Sequence, residues 1–138
     1  STFAKNLNRL SDRVRKRLTL ENDDVTYTPE DLLSLCHNEN IPLVFDIHHH
    51  RCNQDKMTGE EATKKAIETW DREPMFHISS PRQGWNGPKT RQHHDYIDLK
   101  DFPDYWINLK LTVEVEAKAK EVAVLKLNNQ LKKIRCSI

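Results

Sequence analysis

The sequence predicts an α/β fold built on parallel strands, and three observations carry that expectation. Short apolar strand-like runs alternate with helix-length amphipathic stretches along all 138 residues. Two helix-start signals, Thr28-Pro29-Glu30-Asp31 and Thr58-Gly59-Glu60-Glu61, punctuate the alternation. No repeat, low-complexity tract or Pro/Gly-rich linker divides the chain, so one domain over residues 1–138 is expected.

Phe3, Leu7, Leu10 and Val14 recur at helical spacing and predict an opening amphipathic helix with a basic outer face. Residues 17–21 alternate polar and apolar as a first strand. Thr28 caps a helix that carries Leu32, Leu33 and Cys36 inward, leaves His37 on its surface and ends near Asn40. A buried strand follows at 43–46, then a capped helix from Thr58 through Trp70. Residues 75–78 form a third strand, followed by the loop Ser79–Lys89, a short helical piece around 103–108, and a fourth strand at 111–116. A closing helix is expected over Ala117–Lys133. Right-handed crossovers would make the four strands parallel, either as a small open sheet or as half of an eight-stranded barrel.

Composition excludes several classes. The longest apolar run is Ile41–Phe45, far too short to span a membrane. Ser1-Thr2-Phe3-Ala4-Lys5 has no apolar signal core and reads like the middle of a protein. Basic and acidic residues number 22 and 21, so a nucleic-acid partner needs local basic patches rather than bulk charge. Three cysteines without a CxxC favour a reducing, intracellular setting over a disulfide scaffold. Three glycines are too few for a phosphate-cradling glycine loop.

The chemistry gathers at the strand ends. Glu21, Asp46, His77 and Glu116 close the four strands, where parallel α/β folds place their sites. If these face one way, Leu18, Leu20, Leu43, Phe45, Phe76, Val113 and Val115 face the other, under the helices. Oxygen and nitrogen ligands without thiolate suit divalent Mn²⁺, Zn²⁺ or Mg²⁺. Seven histidines, six of them between His48 and His94, strengthen the expectation. His49 is spaced to join Asp46, and one or two of His48–His50 are expected to face solvent. At most one of His93 and His94 is expected to bind, and Cys52 is read as a bystander. The loop with Arg82, Trp85 and Lys89 suits phosphate contact and base stacking; equally, Trp85 would pack inward as a structural residue.

LENDD (20–24), PLVFDIHHH (42–50), HISSPR (77–82), HHDYID (93–98) and VEAKAKEVAVLKL (115–127) together resemble the UV damage endonucleases. That resemblance covers only the family's C-terminal half. It implies strands five to eight of a TIM-type (β/α)₈ barrel and Mn²⁺-favoured metal catalysis. The implied reaction is incision of duplex DNA 5′ to ultraviolet photoproducts, once the N-terminal half is supplied in cis or trans. Glu21, Asp46, His77 and Glu116 resemble the strand-end ligands, and His49 and His93 the loop ligands. Arg82 and Lys89 become candidate phosphate contacts. Metal-activated water would do the hydrolysis, with Glu21 bridging the ions. Two other readings stay open: a non-enzymatic half-barrel that covers its edges by homo-oligomerisation, and a metal-dependent sugar isomerase-like barrel. Met75 stands where family members often carry lysine. By inward parity Glu114 is expected beside Met75, supporting the metal ligands from behind or else paired with Arg17.

Overall fold

The computed structural model describes residues 2–136. Its helices are α1 (Thr2–Leu7), α2 (Asp12–Arg15), α3 (Pro29–Glu39), α4 (Ile47–Cys52), α5 (Gly59–Ile67) and α6 (Glu121–Arg135). Its strands are β1 (Leu20–Glu21), β2 (Leu43–Val44), β3 (Met75–Ile78) and β4 (Thr112–Val115), and every strand pair is parallel. Alternation of helix and strand thus yields the α/β fold that the sequence predicts.

The sheet differs from the expected continuous four-stranded ladder. β1 pairs with β2 and β3 with β4, and the two pairs meet through a single parallel bridge, Asp46 to His77. There the His77 N–H donates to the Phe45 carbonyl at 3.0 Å. Pairing stops at Val44 because Asp46 already begins the next helix: its side chain accepts the His49 N–H at 2.8 Å and caps α4. The backbone cannot serve a ladder and a helix start at once.

Other elements shift for similar local reasons. The opening helix is two short helices, since Ser11 is extended (φ −66°, ψ 152°). That break leaves Leu7 buried but Phe3, Leu10 and Val14 exposed. Arg17 and Leu18 donate to Val14 and Arg15, finishing a helical turn, so the first strand shrinks to Leu20–Glu21 and Leu18 stays outside it. The region around 99–108 forms two 3₁₀ turns, Leu99–Asp101 and Asp104–Trp106. α5 ends at Ile67 and turns through Trp70, whose indole N–H donates to the Leu43 carbonyl at 2.7 Å. The closing helix starts at Glu121 rather than Ala117 because Lys120 has a positive φ of 50°.

Helices cover one side of the strands. Leu43, Phe45 and Phe76 are fully enclosed there with Leu32, Leu33, Ala62, Ala66 and Trp106, and Leu20, Val113 and Val115 pack at the margin. Phe45 and Phe76 meet edge to face at 5.8 Å. Cys36 sits in this core as expected, and burial raises its thiol to about 11. The opposite side carries Thr112 and Glu114, both exposed.

Asn22 is the clasp that the sequence reading passed over. Fully buried, it accepts the Asp46 N–H and donates to the Asp46 carbonyl, each at 2.9 Å. It thereby replaces the ladder bonds that β1 and β2 no longer supply. Asn22→Ala should cost about 2–4 kcal/mol, the loss of two buried hydrogen bonds plus their unpaired partners. Denaturant unfolding of the variant checks this, and a loss below 1 kcal/mol would remove the clasp role.

Candidate metal centre

The parallel register sets the rim. Leu20 lies beside Leu43, Glu21 beside Val44, Asp46 beside His77, and His77 beside Glu114. Neighbours in a parallel register point to the same face, so these polar side chains share the side opposite the core. Three groups of ligand atoms lie within 4.8 Å of one another: Glu21, Asp46 and His49; Asp46, His77 and Glu116; His49, His93 and Glu116. All six residues singled out in the sequence as ligands therefore converge, with Asp46, His49 and Glu116 each shared by two groups.

Each side chain has a structural reason for its place. Asp46 is buried at the α4 N-cap, and its second oxygen, Oδ2, has no hydrogen-bond partner. His49 lies one turn into that helix, with Nδ1 2.9 Å from the Asn22 carbonyl, 3.3 Å from Glu21 Oε1 and 3.5 Å from Asp46 Oδ2. His77 Nδ1 is 3.1 Å from Glu21 Oε1 and 3.6 Å from Glu116 Oε1. His93 arrives because the loop folds back through a Pro81–His93 bridge, which leaves its Nδ1 3.6 Å from Glu116 Oε2.

The histidine run is helical, which corrects the expectation of a loop with outward histidines. His48 and His50 are both buried. A helix turns 100° per residue, so three successive side chains reach three different surroundings. His50 meets Asp55 at 3.2 Å and stacks edge-on with Phe45. His48 lies between the Trp85 ring at 5.1 Å and the His93 ring at 5.4 Å. Burial, together with the neighbouring His93 and His49, lowers its pKa to about 4, so it packs as a neutral ring.

Trp85 takes the inward alternative. Its indole donates to Asp101 Oδ1 at 2.7 Å while the Ser80 hydroxyl donates to Oδ2 and Arg51 donates to the Asp101 carbonyl at 2.8 Å. Asp101, which sequence reasoning missed, anchors the loop from beneath. Arg82 and Lys89 are exposed on that loop. His94 faces away, its ring accepting the Tyr96 N–H at 2.9 Å.

Glu114 stands one layer higher than parity suggested. Met75 is registered with Thr112, and Glu114 with His77. Glu114 Oε2 reaches His77 Nε2 at 2.8 Å, outside hydrogen-bonding geometry, and Arg17 is not its partner. The stagger of the two strands explains the offset.

Charges in the cluster are strongly coupled. Burial works against the Glu21 carboxylate, but hydrogen bonds and charge from His49 and His77 hold it at about 2. Burial likewise opposes the His49 cation, yet Glu21, Asp46 and the Asn22 carbonyl raise it to about 9. Burial opposes the His77 cation too, but Glu21, Glu116 and Asp46 raise it. Asp46 moves upward because burial outweighs His49. Imidazoles thus stand between carboxylates that would otherwise repel, the role a divalent cation would fill more strongly. The oxygen and nitrogen donors and the unpartnered Asp46 Oδ2 fit such an ion.

A family model described as UV-endonuclease UvdE matches residues 1–137. The UV DNA damage endonuclease of Bacillus cereus (strain G9842) is 38% identical over 141 residues, covering 96% of this chain and 44% of the relative. That of Bacillus mycoides (strain KBAB4) is also 38% identical with the same coverage. A solved structure described as the crystal structure of SacUVDE superposes with a TM-score of 0.85 at 28% identity, covering 96% of this chain and 45% of that one. The chain therefore spans under half the length of the relatives it matches.

A pH dependence follows for the metal-free state. His49 rises from 6.5 to about 9 on folding, so its stabilisation is complete below pH 6.5 and is lost as pH climbs through about 9. With metal removed by chelator, the melting temperature should fall between pH 6.5 and 9, and His49→Ala should flatten that fall. An equal fall in the variant would place the titration elsewhere.

Proposed function

We propose that this chain, which belongs to the UV-endonuclease UvdE family, is the C-terminal half of a (β/α)₈-type barrel that incises damaged duplex DNA 5′ to ultraviolet photoproducts. The observation that carries the reading is the convergence of Glu21, Asp46, His49, His77, His93 and Glu116 on one rim, in three overlapping ligand groups. The relatives' names supply the reaction class. The other half of the barrel, in cis or trans, completes the site, and this chain alone is inactive. The protein works inside the cell, on nucleoid DNA if the cell is bacterial. A sugar isomerase finds no support in the family match.

The residues divide the work. Glu21, Asp46, His77 and Glu116 hold divalent ions, Mn²⁺ before Zn²⁺ or Mg²⁺, with His49 and His93 holding a further one. When bound, the ions supply an activated water and charge stabilisation for phosphodiester hydrolysis. Glu21 Oε1 lies 3.3 Å from His49 Nδ1 and 3.1 Å from His77 Nδ1, so it would help to hold an ion beside either histidine. Asp46 is the least adjustable group, because its other oxygen is committed to the α4 cap. Glu114 steadies the His77 ring from its Nε2 side and so orients it as a ligand. Arg82 and Lys89, both exposed on the loop after β3, are the candidate phosphate contacts.

In the protein that carries both halves, Glu21→Gln should abolish nicking of ultraviolet-irradiated plasmid while leaving the fold intact by circular dichroism. Retained nicking would remove the bridging assignment. Glu114→Met should lower Mn²⁺ affinity about 10–100-fold, read by metal titration. Unchanged affinity with lowered thermal stability would make Glu114 structural instead.

A further inference from the structure

His48 is fully buried, and neither of its ring nitrogens meets a hydrogen-bonding partner. Polar atoms buried unpaired are costly, and a phenylalanine ring would fill much the same space without that cost. Nor is His48 itself a ligand: among the described residues it belongs to none of the three ligand groups. Packing therefore accounts for an aromatic ring at this position but not for an imidazole.

The surroundings of the ring are fixed. Trp85 lies 5.1 Å from it, tilted by 41°, and Asp101 holds that indole at 2.7 Å. The Ser79 backbone lies beside the ring but short of hydrogen-bonding geometry. A neutral imidazole that turns its N–H toward the Ser79 carbonyl offers its other nitrogen as an acceptor. His93 stands next to it, with ring centroids 5.4 Å apart and planes at 77°. Two imidazoles joined by an N–H···N bond of about 2.9 Å stand roughly 5 Å apart between centroids. His93 itself turns Nδ1 toward Glu116 Oε2 at 3.6 Å and sits on a loop, outside any strand or helix.

We propose that His48 is a positioning residue for metal binding, whose acceptor nitrogen takes the ring N–H of His93 when His93 gives its other nitrogen to an ion. The inference rests on the metal-centre reading and adds to it a residue that touches no ion. A histidine ligand binds through one nitrogen and keeps a proton on the other, and an acceptor for that proton fixes the orientation of the ring and raises its basicity. His49 and Glu116 complete the same ligand group. His49 is set by α4, and the Glu116 backbone is tied to the Ile78 carbonyl at 2.9 Å. His93, carried by a loop, is the member whose ring most needs orienting, and the Trp85–Asp101 contact keeps its acceptor in place.

The test uses the protein with both halves, stripped of metal and titrated with Mn²⁺ by calorimetry. His48→Phe should lower the affinity of one class of Mn²⁺ site about 10–100-fold. Its melting temperature in chelator should equal or exceed the parent's, because two unpartnered nitrogens leave the interior. Affinity lost without stability lost is a result that a packing role would not produce. His48→Leu, which avoids any crowding by the larger phenylalanine ring, should lower the affinity equally. His48→Gln, which keeps an acceptor, should recover part of it. In a His93→Ala background, His48→Phe should have no further effect on Mn²⁺ affinity. Parent-like affinity in both apolar variants, or an undiminished loss with His93 already gone, would overturn the role of His48 and leave the metal centre standing. Affinity that falls only together with the melting temperature in both apolar variants would likewise make His48 structural. A parent that binds no Mn²⁺ would overturn both readings.

Discussion

Everything at the rim depends on burying one carboxylate. Asp46 is fully enclosed, and each of its polar atoms but one is spent on architecture. Its backbone is clasped by Asn22, its bridge to His77 joins the two strand pairs, and its Oδ1 starts α4. Burying an ionised carboxylate is costly unless charge is supplied nearby, and here Oδ2 is left without a hydrogen bond. The fold therefore carries an electrostatic debt at the place where imidazoles gather. Replacing its side chain would remove the α4 cap and a carboxylate shared by two ligand groups together.

The histidines then sort by what lies behind them. His49 and His77 face carboxylates and are raised, whereas His48 faces an indole and other imidazoles and is lowered to about 4. A single step of about 100° along the helix separates a candidate ligand, His49, from a packing residue, His48. The Trp85–Asp101 hydrogen bond holds the surface against which His48 packs, so a loop that reads as a DNA-facing element also braces the metal site from outside. Rigid support of this kind keeps ligand atoms near productive geometry.

The two sides of the strands follow opposite demands. One side is apolar and covered by α3 and α5, and its burial drives folding. The other carries Thr112 and the carboxylates of Glu21, Glu114 and Glu116, which repel one another unless positive charge lies among them. Lysine and arginine charge lies beyond them at the rim, on Arg82, Arg91, Lys118 and Lys120, whereas imidazoles stand among them.

The convergence of the strand-end side chains was legible from sequence because a parallel α/β pattern places the ends of successive strands on one rim, whatever the details of packing. The same periodicity located Leu43, Phe45 and Phe76 in the core, and the capping signals at Thr28 and Thr58 located two helix starts, since both depend on neighbours within a few residues. What lay beyond the sequence depended on groups far apart in the chain. Asn22 reads as an ordinary loop asparagine until Asp46 is brought beside it, 24 residues away. The helical path of His48–His50 follows from the Asp46 cap displacing a strand ending, a competition that periodicity in a short run does not decide. Glu114 was placed on the correct face but one layer too low, because parity determines facing while inter-strand stagger determines height. Arg82 and Arg91 likewise come together with Lys118 and Lys120 only through the fold. Local hydrogen bonding and side-chain period are written along the chain; register, burial and charge neighbourhood exist only once distant segments pack.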